Sequence, residues 1–338
     1  MFGSSLIIGA FIFTPGCTKN TDDDDDLIGN WKRSNDFEGL ARSEAVSFTI
    51  GSNAYVTTGA TTTTRFKDLW QYSATNQYWT QLSDFPGSAR NAAVAFSVNG
   101  KGYVGTGYDG INALDDFYEF DPAATTQWKP IASIPGGLTA GAPRYKGVAF
   151  AIDGKGYVAC GYNGNYLNNM WQYDPGSNQW EKKASVGGSK RDGAFAFVFG
   201  NKAYVCAGNN NGTIQTDVQM YDPATDKWTE KTKIYNYSED SYDDDYGGIP
   251  RQNAAVFTIG NYVYVTGGEN GSIISTTWQY DPANGSWAQK TGFEGKERSG
   301  AVAFTLNNRG FVLTGRSGSL VMDDMYEFLP TDEQVDGD

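Results

Sequence analysis

The tightest constraint on this chain is a frame that occurs six times: Arg, five residues, Phe, six residues, an aromatic, Val, two residues, Gly. Its copies are Arg42-Phe48-Tyr55-Val56-Gly59, Arg90-Phe96-Tyr103-Val104-Gly107 and Arg144-Phe150-Tyr157-Val158-Gly161, then Arg191-Phe197-Tyr204-Val205-Gly208, Arg251-Phe257-Tyr264-Val265-Gly268 and Arg298-Phe304-Phe311-Val312-Gly315. The spacing never slips, so every copy builds the same unit. A period near 50 residues belongs to units that bury their apolar faces against their neighbours.

A second aromatic follows each Gly by 12 or 13 residues, at Tyr72, Phe120, Tyr173, Tyr221, Tyr280 and Phe328. In four copies Asp-Pro comes next (Asp121-Pro122, Asp174-Pro175, Asp222-Pro223, Asp281-Pro282), a turn signal because Pro presets φ at the second turn position. Trp79, Trp128, Trp180, Trp228 and Trp287 lie seven or eight residues beyond that aromatic. Each unit thus reads as four antiparallel strands. The sixth stops at Leu329-Pro330 without a Trp, whereas Trp31 stands 11 residues before Arg42, the separation also found from Trp79 to Arg90 and from Trp180 to Arg191. The N-terminal strand is expected to complete the last unit and leave no open edge. The predicted fold is all-β: a six-bladed β-propeller over residues 27–330, four antiparallel strands per blade, closed by the N-terminal strand.

With Gly closing the second strand, an aromatic in the third and Trp opening the fourth, the repeats resemble those of the kelch family from Asn30 to Pro330. The family's double glycine survives only at Gly267-Gly268, and the His common near the first strand is absent. Such a motif specifies a fold and leaves function to the loops. The small residues Ala93, Ala95, Ala149, Ala194 and Ala303 suit innermost strands crowded around an axis, and Trp70, Trp171 and Trp278 suit the gaps between blades.

Antiparallel order sorts the connections onto two faces. The first-to-second and third-to-fourth turns are short, as at Asn99-Gly100 and Asp153-Gly154, while the other face carries the long, varied loops on which binding is expected. The arginines Arg42, Arg90, Arg144, Arg191, Arg251 and Arg298 start the innermost strands on that long-loop face. With Tyr108, Tyr162, Asn163, Asn209, Glu269 and Arg316, which follow the glycines, they are the candidate ligand-binding set. The resemblance implies an anion-preferring pocket, since animal kelch propellers use arginines in matching positions to hold acidic peptides; an equal alternative is that each Arg bonds loop carbonyls or acids and fixes blade spacing. Two loops are enlarged: Trp128 to Arg144 is 16 residues and Trp228 to Arg251 is 23. The second interleaves Tyr235, Tyr237, Tyr242 and Tyr246 with Asp240, Asp243, Asp244 and Asp245, a weak candidate for Ca²⁺ that matches no EF-hand spacing.

Absences narrow the chemistry. The chain has no His, which removes Ser-His-Asp and Cys-His nucleophiles and His-ligated metals. A net charge of −13 argues against nucleic acid. No cofactor is expected. Cys160 and Cys206 sit one residue out of register in neighbouring repeats, which reads as two buried free thiols. The favoured function is a non-catalytic, monomeric binding module for a protein or glycan ligand, anionic or carbohydrate-like. The alternatives are a structural or adhesion module and a sugar-ring epimerase or mutarotase, the latter because a secreted six-bladed kelch protein opens sialic-acid rings; Arg would hold the sugar carboxylate and Glu269 would serve as acid–base.

Residues 1–17 read as a signal peptide: the apolar run Leu6–Phe13 is too short to span a bilayer and ends in Thr14-Pro15-Gly16-Cys17. Gly16-Cys17 resembles a bacterial lipobox, although Thr14 replaces the usual Leu and no Lys or Arg precedes the apolar run. Residues 18–26 would form an acidic tether and 331–338 an acidic tail. The expected location is the outer membrane or cell surface, with membrane contact only through the lipid; plain secretion or the periplasm is the alternative. Cys17→Ser should move the protein from the membrane fraction to the soluble fraction without changing its melting temperature, and equal partitioning of mutant and wild type would favour plain secretion.

Overall fold

A computed structural model describes residues 27–231, 233–235 and 246–337 and places them in six four-stranded antiparallel sheets. In blade one these strands are Val46–Ile50, Asn53–Thr57, Leu69–Ser73 and Tyr78–Leu82. The seven-residue step from Phe to the next aromatic sets the two opposite each other across the first hairpin. Phe48 faces Tyr55 in register with the rings stacked at 5.0 Å, and blades two to six repeat the pair. The third-strand aromatic likewise faces the outer Trp, as Tyr72 faces Trp79. At the turns between them, the Asp of each Asp-Pro accepts the N–H two residues on: Gly176 to Asp174 Oδ1 is 2.8 Å.

These aromatics form the junctions between blades. Phe48 and Tyr55 of blade one pack with Phe120 and Trp128 of blade two, and six such clusters run around the ring. Several outer tryptophans also donate Nε1–H to a carbonyl of the preceding blade, as Trp180 does to Ala132 at 2.7 Å. Packing is close enough that Gly102, Gly156 and Gly310 lie directly under Phe48, Phe96 and Phe257, where any Cβ would overlap the ring.

The ring closes as the sequence predicts. Asn30–Arg33 pairs with Met325–Leu329, Trp31 opposite Phe328. Trp31 is fully buried, with ring centroids 4.8 Å from Phe293 and 4.7 Å from Phe328. The C-terminal segment packs back on this strand: Gly29 N–H donates to the Asp332 carbonyl at 2.9 Å and Val335 N–H to Asn30 Oδ1 at 3.0 Å. Because Asn30 lies beside Leu329, where the third strand runs out into its turn, both ends of the propeller leave on the short-turn face. Cys17, residues 18–26 and Asp240, Asp243, Asp244 and Asp245 lie outside the described residues.

Two closed circuits of backbone hydrogen bonds join the blades near the axis. The residue two places after each repeated Arg (Glu44, Ala92, Lys146, Gly193, Asn253, Gly300) has φ between 51° and 64°. That left-handed conformation turns its N–H toward the preceding blade. Glu44 donates to Gly300, Ala92 to Glu44, Lys146 to Ala92, Gly193 to Lys146, Asn253 to Gly193 and Gly300 to Asn253, at 2.8–3.0 Å. In the second circuit the N–H of each frame Gly donates to the carbonyl of the next blade's Arg, from Gly59 to Arg90 round to Gly315 to Arg42, also at 2.8–3.0 Å.

The repeated arginines lock this arrangement. All six are buried. Each guanidinium reaches the carbonyl of the residue before its own blade's frame Gly, for example Arg90 Nη1 to Thr106 O at 2.9 Å. Four of them also make a two-pronged ion pair with an Asp 26 residues on: Asp68, Asp116, Asp217 and Asp324, the Arg191–Asp217 contacts being 2.5 and 2.7 Å. Burial pushes the Asp68 carboxyl up, but the Arg42 guanidinium and the Trp70 N–H outweigh it and hold the group below the usual range. Blades three and five have Asn169 and Thr276 where the others have Asp. There the enlarged loops offer a carbonyl to Nη2 instead, Gly141 to Arg144 and Gly248 to Arg251, while Nε bonds the carbonyl two residues back as in the other four blades. Without a carboxylate, burial lowers both of these arginines to about 10.

The expectation that Arg42, Arg90, Arg144, Arg191, Arg251 and Arg298 present themselves to a ligand is therefore corrected. Their donors are directed into the protein, so these six side chains are scaffold, and the two enlarged loops serve them. Cys160 and Cys206 are buried free thiols in different blade junctions, and burial pushes the Cys160 thiol up to about 11.

Arg191→Ala would strand Asp217 and several carbonyls. Breaking a buried pair this way should cost about 3–5 kcal/mol and lower the melting temperature by several degrees. Trp31→Ala should cost a similar amount, about 3–5 kcal/mol. Deleting residues up to 36 should cost at least as much, because it also opens blade six. Thermal denaturation of the three variants against wild type checks both devices; an unchanged melting temperature for the truncation would refute closure by the N-terminal strand.

Candidate binding mouth on the long-loop face

The positions beside the two hydrogen-bonded circuits vary from blade to blade, and they surround the channel mouth. In each blade the residue after the repeated Arg bridges the residue after the frame Gly: Ser43 to Ala60, Asn91 to Tyr108, Tyr145 to Tyr162, Asp192 to Asn209, Gln252 to Glu269 and Ser299 to Arg316. The second member then pairs onward into the same loop, with Arg65, Ala113, Tyr166, Ile214, Ile273 and Val321 respectively. Eighteen positions thus share one repeated backbone lattice. Below them Glu44, Lys146 and Asn253 line the channel, which continues into a cavity of about 250 Å³ lined mainly by alanines.

Their chemistry is uneven around the ring. Four half-buried tyrosines form a run across blades two and three, with ring centroids 5.1 Å apart for Tyr108–Tyr145, 5.7 Å for Tyr145–Tyr162 and 4.9 Å for Tyr162–Tyr166. At one end Arg65 lies over Tyr108, its guanidinium carbon 5.0 Å from the ring centroid, with Nε donating to Asn91 Oδ1 at 2.7 Å. At the other end Asn209 Nδ2 donates to the Tyr166 hydroxyl at 3.1 Å and to Asp192 Oδ1 at 3.4 Å. Lys146 Nζ stands 3.6 Å from Glu44 Oε1, and Asn91 Nδ2 donates to the other Glu44 oxygen. Burial raises the Asp192 carboxyl above the usual range, with Lys146 and Asn209 pulling the other way.

Of the residues picked out from sequence, Tyr108, Tyr162, Asn209, Glu269 and Arg316 do sit at the mouth. The first three belong to the aromatic half. Glu269 accepts from Asn253 Nδ2 at 2.9 Å on the opposite half, and Arg316 is half-buried beside Ser299. Asn163 instead closes the turn of its own loop, accepting from Asn165 N–H at 3.3 Å. Sequence reasoning passed over Glu44, Arg65, Asn91, Tyr145, Lys146, Tyr166 and Asp192. Most of these stand one or two places after a repeated Arg. The signal that marks them is variation at a fixed offset from an unvarying residue.

Comparison with known proteins agrees with the architecture. The family described as Kelch motif matches residues 143–187, 190–233 and 250–292, which correspond to blades three, four and five. The solved structure of YjhT superposes with a TM-score of 0.70 at 17% sequence identity, over 86% of this chain and 95% of that one. N-acetylneuraminate epimerase of Haemophilus influenzae (strain PittEE) is 35% identical over 117 residues, 31% of this chain and 29% of the relative. The protein of the same name from Escherichia coli O139:H28 is 30% identical over 137 residues, 38% of this chain and 36% of the relative. The chain therefore aligns with only about a third of the length of these curated relatives. Blade count and superposition make this chain a six-bladed β-propeller, and its third, fourth and fifth blades match the Kelch motif.

Proposed function

We propose that this protein is a non-catalytic binding module whose long-loop mouth takes a carbohydrate-like ligand, displayed outside the cytoplasm by lipid on Cys17. The observation that carries the reading is the run Tyr108–Tyr145–Tyr162–Tyr166, half-buried and bordered by Arg65, Asn91, Lys146, Asp192 and Asn209. Tyrosine offers rigid apolar area with a polar tip at low entropic cost, which suits a sugar whose faces are apolar and whose rim is hydroxylated. Amide, carboxylate and cationic groups around the run supply the donors and acceptors that hydroxyls need. A shallow, open mouth of this kind points to micromolar affinity.

An epimerase acting on an acidic sugar is the second reading. It is favoured by the partial relatives named N-acetylneuraminate epimerase and by Asp192, a buried carboxyl with a raised pKa beside Lys146, suited to proton transfer. Under the binding reading, Tyr145→Ala and Tyr162→Ala each weaken sugar binding by about tenfold, the value of one aromatic contact, while the melting temperature changes little. Calorimetry against a glycan panel measures the first effect. Addition of the protein to N-acetylneuraminate should leave anomer exchange, followed by NMR, at its uncatalysed rate; acceleration would place the epimerase reading first.

A further inference from the structure

Three cationic side chains remain half-buried at the mouth once the repeated arginines are assigned to the scaffold: Arg65, Lys146 and Arg316. Lys146 is already committed to Glu44. Arg316 stands on the half of the mouth away from the tyrosines, in line with Ser299 and Val321. Arg65 differs from both. Its Nε is fixed by Asn91 Oδ1 at 2.7 Å, and its plane is held over Tyr108. Gly110, at φ 104°, makes room for it: a Cβ there would stand 2.6 Å from Nη1. Among the described residues no carboxylate lies within ion-pair distance of Arg65, and Nη1 and Nη2 have no hydrogen-bond acceptor. The corresponding positions of the other blades hold Ala113, Tyr166, Ile214, Ile273 and Val321, so this cation breaks the sixfold symmetry.

We infer that Arg65 is the anion-receiving group of the mouth, and that the ligand is an acidic sugar whose carboxylate or sulfate docks on Nη1 and Nη2 while its ring lies along Tyr108 and Tyr145. The inference rests on the carbohydrate reading above and adds the charge, its position and the residue that selects it. A guanidinium with its remaining donor already satisfied and its plane fixed by an aromatic ring is organised for two parallel charge-assisted hydrogen bonds. Lysine-type point charges lack that geometry, and the six repeated arginines are buried with their donors turned into the protein.

Isothermal titration with glucuronate, galacturonate and galactose-6-sulfate, each beside its neutral parent sugar, tests this on the wild type and on Arg65→Gln, Arg316→Gln and Tyr145→Ala. Acidic probes should bind the wild type more tightly than their parents. Arg65→Gln should remove at least about tenfold of that affinity, weaken the neutral sugars by much less, leave the melting temperature unchanged, and abolish the preference. Arg316→Gln should do neither. The two carboxylates binding alone identify a uronic acid, and the sulfate alone a sulfated sugar. Undiminished acidic-sugar binding by Arg65→Gln, or equal affinity for acids and parents in the wild type, overturns the inference; if Tyr145→Ala still weakens sugar binding by about tenfold, the carbohydrate reading survives it. Absence of binding by every sugar overturns both.

Discussion

The architecture hangs on hydrogen bonds that only exist if the ring is complete. Each blade donates one backbone N–H to its predecessor two residues after the repeated Arg and receives one from its predecessor's frame Gly, so both circuits return to blade one through Glu44–Gly300 and Gly315–Arg42. To enter the first circuit a residue must adopt a left-handed conformation, which costs about 1–2 kcal/mol for a side chain with a Cβ. Glu44, Ala92 and Lys146 accept that cost. The repeated Arg holds the neighbouring carbonyl of each blade, and its Asp or loop partners hold the Arg. An invariant side chain is required here because backbone geometry, repeated six times, leaves no room for an alternative.

That same requirement explains what was legible in the sequence. The hairpin step from Phe48 to Tyr55, the Asp-Pro turns and the displaced Trp31 each correspond to a contact whose spacing is fixed by strand geometry, so counting residues recovered the blades and their closure. The arginines were equally visible and were placed at the correct end of the strand. Counting could not tell which way the guanidinium points, because its partners lie 26 residues away in a different loop, at Asp68, Asp116, Asp217 and Asp324. The enlarged loops were visible as irregularities; their use as replacement acceptors for Arg144 and Arg251 depends on noticing Asn169 and Thr276 in place of Asp. At the mouth, Tyr145 and Asp192 have no sequence mark of their own beyond adjacency to Arg144 and Arg191.

A division of labour follows. The invariant positions face inward and fix the lattice, and the positions immediately beside them carry whatever chemistry the mouth has. Because the side chains at the mouth project from backbone already bonded to its neighbours, Tyr108 can differ from Ala60, or Arg65 from Val321, without disturbing the blades beneath. Such a scaffold tolerates wide change in specificity at little cost in stability, since the surface residues share few partners with the core.

The location of the two chain ends has its own consequence. Leu27 and the segment after Leu329 both depart beside the short turns, packed on one another through Gly29, Asp332, Asn30 and Val335. Strand order thus puts both ends of the propeller on the face opposite the tyrosine-lined mouth, so a group fused directly at Leu27 or after Val335 would leave that mouth uncovered.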